Sequence, residues 1–285
     1  MKIGAFEISE IITSEFGLDG GAMFGVVPKT LWSRQVGVDD QNRIDMVTRT
    51  LLLESADRKI LVDTGNGDKW AEKYKSIYRI DWSRFSLVDG LAKKGISPSD
   101  ITDVICTHLH FDHVGGNTRM ENDKLVPVFP SATYWVQAAN WELANSPTEK
   151  DQASYLSENW GVLAENGMVK ILENEREFLD GIRFEIVNGH TTGQQLPIVS
   201  DGTTTLMYGG DLFPMKPHIP VPWVMAYDIE PMTTIAEKKR VLPKMVEEDW
   251  ILFFEHDPNT AACKVVKTDK GYFGGDAVEL DEGTR

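Results

Sequence analysis

Cysteine is scarce in this chain: Cys106 and Cys263 are the two among 285 residues. That excludes a framework stapled by several disulfides and agrees with free thiols in a reducing cytoplasm. Cys106 stands two residues before His108, which raises a ligand role. Its surroundings, Asp103-Val104-Ile105-Cys106-Thr107, read instead as a buried strand with an inert core thiol. Positive charge is also in deficit, with 29 Lys and Arg against 44 Asp and Glu and a formal net charge of −15. Such a surface repels a phosphate backbone, so nucleic acid is not an expected partner. No run of about 18 apolar residues occurs, which leaves no candidate for a spanning helix and no membrane partner. The opening MKIGAFEISEIITSEFG lacks the continuous apolar core of a secretion signal, so a cytoplasmic protein is expected.

What is present is an ordinary globular pattern. Alternating or short apolar runs predict strands over 5–8, 46–54, 59–62, 101–107, 168–172, 182–187, 196–200, 204–208 and 251–254. Helices are predicted over about 68–76, 83–94, 152–165 and 233–247, with Gly95 ending the second. Strands alternating with helices indicate a mixed α/β fold, and no linker divides the chain, so residues 1–285 read as a single domain. Two segments resist assignment. Residues 133–144 are rich in aromatics, and residues 18–28 are apolar but broken by glycines. The second reads as a pocket wall or an interface, such as a homodimer contact.

The polar residues with chemistry gather after strands. Of six histidines, three fall in His108-Leu109-His110-Phe111-Asp112-His113, directly after the strand at 101–107. Alternate side chains of an extended segment point the same way, so His108 and His110 can hold one ion, while Asp112 and His113 address a second. As core residues these rings would each need a separate partner. His190 follows the strand at 182–187, Asp211 the strand at 204–208, and His256 the strand at 251–254. Each position is weak singly, since a lone His beside glycine is commonly a hydrogen-bonded loop residue. Carboxyl ends of strands are nevertheless where α/β proteins collect functional groups.

The ordered series Thr107-His108-Leu109-His110-Phe111-Asp112-His113-Val114-Gly115-Gly116, Gly189-His190-Thr191, Gly210-Asp211 and His256 resembles the metallo-β-lactamase superfamily, and Asp63-Thr64-Gly65 matches its early strand-end motif. The resemblance implies an αβ/βα sandwich, two facing mixed sheets with helices outside and metals at one edge. It implies two divalent metal ions, with His108, His110 and His190 on one, Asp112, His113 and His256 on the other, and Asp211 bridging. Imidazole and carboxylate ligands suit Zn, with Mn, Fe or Co as alternatives. Asp63 then orients a ligand histidine, or is a plain strand-end turn residue.

Within the superfamily, the segments at 18–25 and 222–228 look like those of quorum-quenching lactonases and their aryl phosphotriester hydrolase relatives. The implied activity is opening of N-acyl homoserine lactones or related esters by a metal-bridging hydroxide, with Asp112 passing a proton to the leaving group and Asp211 holding both ions. Many such lactonases carry a Tyr three residues after the bridging Asp; here Pro214 stands there. His218 is the candidate substitute donor, with Tyr227 behind it, although His218 also reads as a surface loop residue among prolines. Met23, Phe24, Trp32 and Trp223 offer apolar surface to the substrate, or pack the core. Two alternatives stay open: aryl phosphotriester or aryl-ester hydrolysis at the same site, and a non-catalytic, metal-stabilised binding protein.

Overall fold

The strands at 46–54 and 59–62 are buried on both faces, which demands cover on both sides of the sheet they form. The computed structural model describes residues 1–280, so the last five residues of the expected 1–285 domain lie outside the described residues. One seven-stranded sheet opens with β1 (Lys2–Ile3), β2 (Phe6–Phe16) and β3 (Met46–Glu54), paired antiparallel. It continues through β4 (Lys59–Val62) and β5 (Asp103–Ile105). After a separate hairpin of β6 (Thr118–Glu121) and β7 (Lys124–Pro127), it ends in β8 (Thr133–Gln137) and β9 (Val169–Leu172). Strands β4, β5, β8 and β9 run parallel.

The second sheet takes seven strands in sequence order. They are β10 (Glu177–Leu179), β11 (Ile182–Val187), β12 (Gln194–Ser200), β13 (Thr205–Tyr208), β14 (Ile251–Phe253), β15 (Ala262–Thr268) and β16 (Gly271–Ala277). All pair antiparallel except β13 with β14. Between the sheets, Leu51, Leu53, Ile60, Val62 and Ile105 meet Phe184, Ile186, Val199, Leu206 and Phe253. Truncating one of these leucines to alanine costs about 2–5 kcal/mol, because rigid strands on both sides cannot collapse into the cavity.

Helices supply the outer layers. The short α1 (Gly20–Phe24) is capped by Asp19, whose Oδ1 accepts from Ala22 N at 2.9 Å, and α2 (Lys29–Trp32) follows it. Segment 18–28 is therefore a folded wall, not a loop. Leu18, Met23 and Phe24 are buried, and of its apolar side chains Val26 stands out in solvent. Helix α3 (Glu72–Ile77) is shorter than expected, and α4 (Leu87–Lys93) is capped by Ser86. The one-turn α5 (Phe111–Val114) carries part of the histidine motif, and the aromatic 133–144 segment divides into β8 and α6 (Ala138–Asn145). The helix expected over 152–165 shrinks to a 3-10 turn and α7 (Gly161–Glu165), because Trp160, at φ −138°, leaves the helical region between them. Leu87, Leu91, Ala144 and Leu163 cover Leu52, Leu61, Val104 and Val136 of the first sheet. Helix α8 (Pro231–Glu247) starts with proline, whose missing N–H costs nothing at that position. It lays Val241, Leu242 and Met245 on Ile198, Met207 and Leu252 of the second sheet. The result is the αβ/βα sandwich, and its parallel strands end on one edge.

Candidate metal centre

Strand ends deliver the polar groups to that edge. Asp63 follows β4, His108 follows β5, His190 follows β11, Asp211 follows β13, and Glu255 and His256 follow β14. The α5 turn swings Asp112 and His113 beside them; His113 N donates to His110 O at 3.1 Å. Two backbones must touch for this to happen. Gly65 pairs with Val114 in a parallel bridge, and a Cβ on Gly67 would stand 2.1 Å from Gly115 O, so this contact tolerates only glycine.

His108, His110, His190 and Asp211 converge as one buried group, and Asp112, His113 and His256 as another. In the first, His110 Nδ1 lies 2.9 Å from His108 Nε2 and 3.1 Å from His190 Nε2. In the second, His256 Nε2 lies 3.3 Å from His113 Nε2. Asp211 stands between them, with Oδ2 at 3.0 Å from His190 Nε2 and 3.5 Å from His113 Nε2, and Oδ1 at 3.4 Å from His256 Nε2. Each pair of ring nitrogens can share one proton at most, and Asp211 Oδ1 is buried without a hydrogen-bond partner. Convergent lone pairs and a carboxylate of this kind are a cation's donor set. Electrostatics agree. Burial and the neighbouring rings of His113, His110 and His190 hold His108 well below the ordinary histidine range. Against burial, His190 and His113 hold the Asp211 carboxyl well below its ordinary range.

The far sides of the rings are also held. His190 Nδ1 meets Asp228 Oδ1 at 3.1 Å, and His256 Nδ1 meets Val47 O at 3.0 Å. Asp63 accepts from Thr107 N and Thr107 Oγ1, both at 2.7 Å, and meets His113 Nδ1 at 2.9 Å. The same nitrogen lies 2.8 Å from Glu255 Oε2, which also accepts from Tyr208 OH at 2.7 Å. Burial pushes the Glu255 carboxyl up, out of the usual carboxylate range. Asp228, Glu255 and Tyr208 escaped the sequence reading. Glu255 was signalled by its adjacency to His256, and Asp228 by its place in the 222–228 segment, without a role for either.

A cleft of about 150 Å³ opens onto this centre, lined by His110, Asp112, His190, Asp211 and His256 on one side. Leu18, Met23, Met46, Tyr78, Phe111, Met225 and Tyr227 form its apolar side. Of the expected pocket residues, Met23 and Tyr227 line the cleft. Phe24 and Trp32 stand behind, stacked with ring centroids 5.2 Å apart, and Trp223 lines a separate hollow. His218 does not reach the cleft either. It is wholly buried, stacked 4.6 Å from Phe24, and its Nε2–H donates to Met23 O at 2.8 Å. The expected substitute donor, read alternatively as a surface loop residue, is thus a packed support, and two tyrosines, Tyr78 and Tyr227, line the cleft. Burial, with the Asp112 charge nearby, raises the Tyr227 pKa and keeps it protonated.

The fold and centre together define a class. The family model of the metallo-beta-lactamase superfamily matches residues 44–266, and the chain belongs to that superfamily and is one of its hydrolases. A probable metal-dependent hydrolase from Staphylococcus aureus superposes with a TM-score of 0.87 at 30% identity, covering 98% of this chain and 100% of that one. An N-acyl homoserine lactonase of Bacillus sp. is 27% identical over 236 residues, 78% of this chain and 86% of its own length. A dizinc quorum-quenching lactonase in complex with a product shares the fold at a TM-score of 0.81 and 21% identity, covering 99% and 97%. Among the described residues, no helix is long and apolar enough to cross a membrane.

Proposed function

We propose that this hydrolase opens lactones of the N-acyl homoserine type, or related esters, at a centre of two divalent ions, Zn by preference. The observation that carries the reading is Asp211, one carboxylate in reach of both histidine groups. His108, His110 and His190 would hold one ion, Asp112, His113 and His256 the other, and Asp211 both. Ions held there supply Lewis-acid polarisation of a carbonyl and acidify an attacking water. The chain's own residues do the rest. The apolar side of the cleft seats a small molecule with an apolar part and excludes water. Tyr227 donates its phenol proton in a hydrogen bond to the carbonyl oxygen, the role that Pro214 cannot fill. Asp112, at the cleft floor, passes a proton to the leaving alkoxide. The similarity to N-acyl homoserine lactonases over most of the chain supports this substrate class.

A second reading, aryl phosphotriester or aryl-ester hydrolysis, is favoured by one feature of the cleft. Phe111 stacks on Tyr78 at 5.3 Å and meets Trp70 edge-on at 5.0 Å, a surface suited to a flat ring. The test is a metal-reconstituted screen of N-acyl homoserine lactones of graded acyl length beside an aryl phosphotriester, with elemental analysis of the same samples. Lactone turnover that rises with chain length and tracks two bound ions is expected. Turnover of the phosphotriester alone would replace the first reading with the second.

A further inference from the structure

The cleft is bordered by two segments far apart in sequence, and one side chain joins them. Lys150 Nζ donates to Ala226 O at 3.1 Å, Tyr227 O at 3.0 Å and Asp228 O at 3.0 Å. We propose that Lys150 is a positioning residue, a clasp whose ammonium gathers these three carbonyls and so fixes Tyr227 and Asp228 over the centre. The proposal rests on the reading of Tyr227 as donor and His190 as ligand.

An ammonium has three N–H donors and no acceptor. All three are spent here on consecutive carbonyls, so the charge is held by the protein and is not offered to an anionic substrate, although Lys150 lines the cleft. The carbonyls in turn need the cation. Three C=O dipoles aimed at one point repel each other, and without a shared positive partner the 226–228 turn relaxes.

Both sides of the clasp connect to the centre. On the lysine's side, Ser154 O accepts from Phe111 N at 2.9 Å, and Tyr155 packs edge-on against His110 with its hydroxyl 2.6 Å from Thr191 Oγ1. On the other side, Asp228 Oδ1 meets His190 Nδ1 at 3.1 Å, and Ile229 N donates to His190 O at 3.1 Å. Releasing the turn frees Tyr227 and the carboxylate that aligns His190 in one event. Lys150 itself is exposed, so its loss opens no cavity in the core.

The test uses the metal-reconstituted full chain with Lys150→Met, which keeps the apolar stem, and Lys150→Arg, whose charge is kept but whose N–H donors diverge in a plane and do not radiate from one atom. In Lys150→Met, kcat is expected to fall about ten-fold with KM little changed, the scale on which groups behind metal ligands act. Backbone hydrogen exchange at 226–230 should quicken while β11 and β13 stay protected, and Lys150→Arg should fall between. A rise in KM at constant kcat would overturn the clasp in favour of a substrate-binding cation. Unchanged exchange and unchanged kcat would overturn it in favour of an idle surface contact. Should the wild type open no lactone at all, the functional reading fails, and the exchange comparison still decides the clasp.

Discussion

The two groups on either side of Asp211 differ in their own side chains, three imidazoles against two imidazoles and a carboxylate, and in what stands behind them. His108 Nδ1 faces the Thr107 hydroxyl at 3.0 Å and the Gln194 amide at 3.3 Å, and His190 leans on one carboxylate, Asp228. Across Asp211, His113 alone faces two buried carboxyl groups, Asp63 and Glu255, and Asp112 stands beside it. A carboxylate accepting the outer ring proton makes the inner nitrogen a stronger donor. The two proposed metal positions are therefore unequal, and the one at Asp112, His113 and His256 has more acidic groups within and behind its ligand set.

The largest effect should come from removing what the groups share. Asp211→Ala is expected to lose both ions and reduce turnover on the order of 10³-fold or more, read by elemental analysis and by lactone hydrolysis. Retention of one full equivalent of metal would show that the groups hold ions independently. The comparison itself is tested by pairing Glu255→Gln with Asp228→Asn. Each should weaken one metal position about 10- to 100-fold and spare the other, seen as loss of a single equivalent in chelator titrations. Equal loss at both positions in either variant would break the asymmetry.

A smaller effect is expected on the apolar side of the cleft. Tyr227→Phe should lower kcat about ten-fold with metal content unchanged, as for one lost hydrogen bond to a developing charge. Full kcat would assign the phenol to packing. The smallest effect lies behind that wall. Burial, with the Lys238 charge nearby, holds His218 down to about 3 against an ordinary 6.5. A depressed folded value contributes stability that is complete above 6.5 and drains as pH falls toward 3. In that window wild type should lose about 1.4 kcal/mol per pH unit more than His218→Gln, which keeps an N–H for Met23 O. Urea midpoints from pH 6.5 to 4 measure it, and parallel curves for the two proteins would remove His218 from the balance.

The seven proposed ligands were legible because polar residues just past apolar strands have few structural excuses, and their order along the chain adds weight. The strands at 46–54, 59–62 and 182–187 were equally legible from short apolar runs. What stayed hidden depends on distant partners. Glu255 gains its meaning from Tyr208 and His113, and Asp228 from His190, contacts that no local spacing encodes. His218 reads as exposed among prolines, yet Met23 O and Phe24, nearly two hundred residues earlier, take it inside. The glycine-broken 18–28 segment folds because Trp32 and Ile44 pack against Gly20, leaving no room there for any side chain.

The backbone contact between residues 65–67 and 114–116 has a consequence for how such a chain can vary. A Cβ on Gly115 would meet Asn66 O at 2.1 Å, as one on Gly67 would meet Gly115 O. The turn after β4 and the histidine motif, some fifty positions apart, are therefore two halves of a single mould. Gly67, Gly115 and Gly116 cannot acquire a side chain without parting the two backbones, so drift in one half is blocked by the shape of the other. Diversification of substrate is left to the cleft wall, where Met23, Met46 and Met225 lie outside that mould.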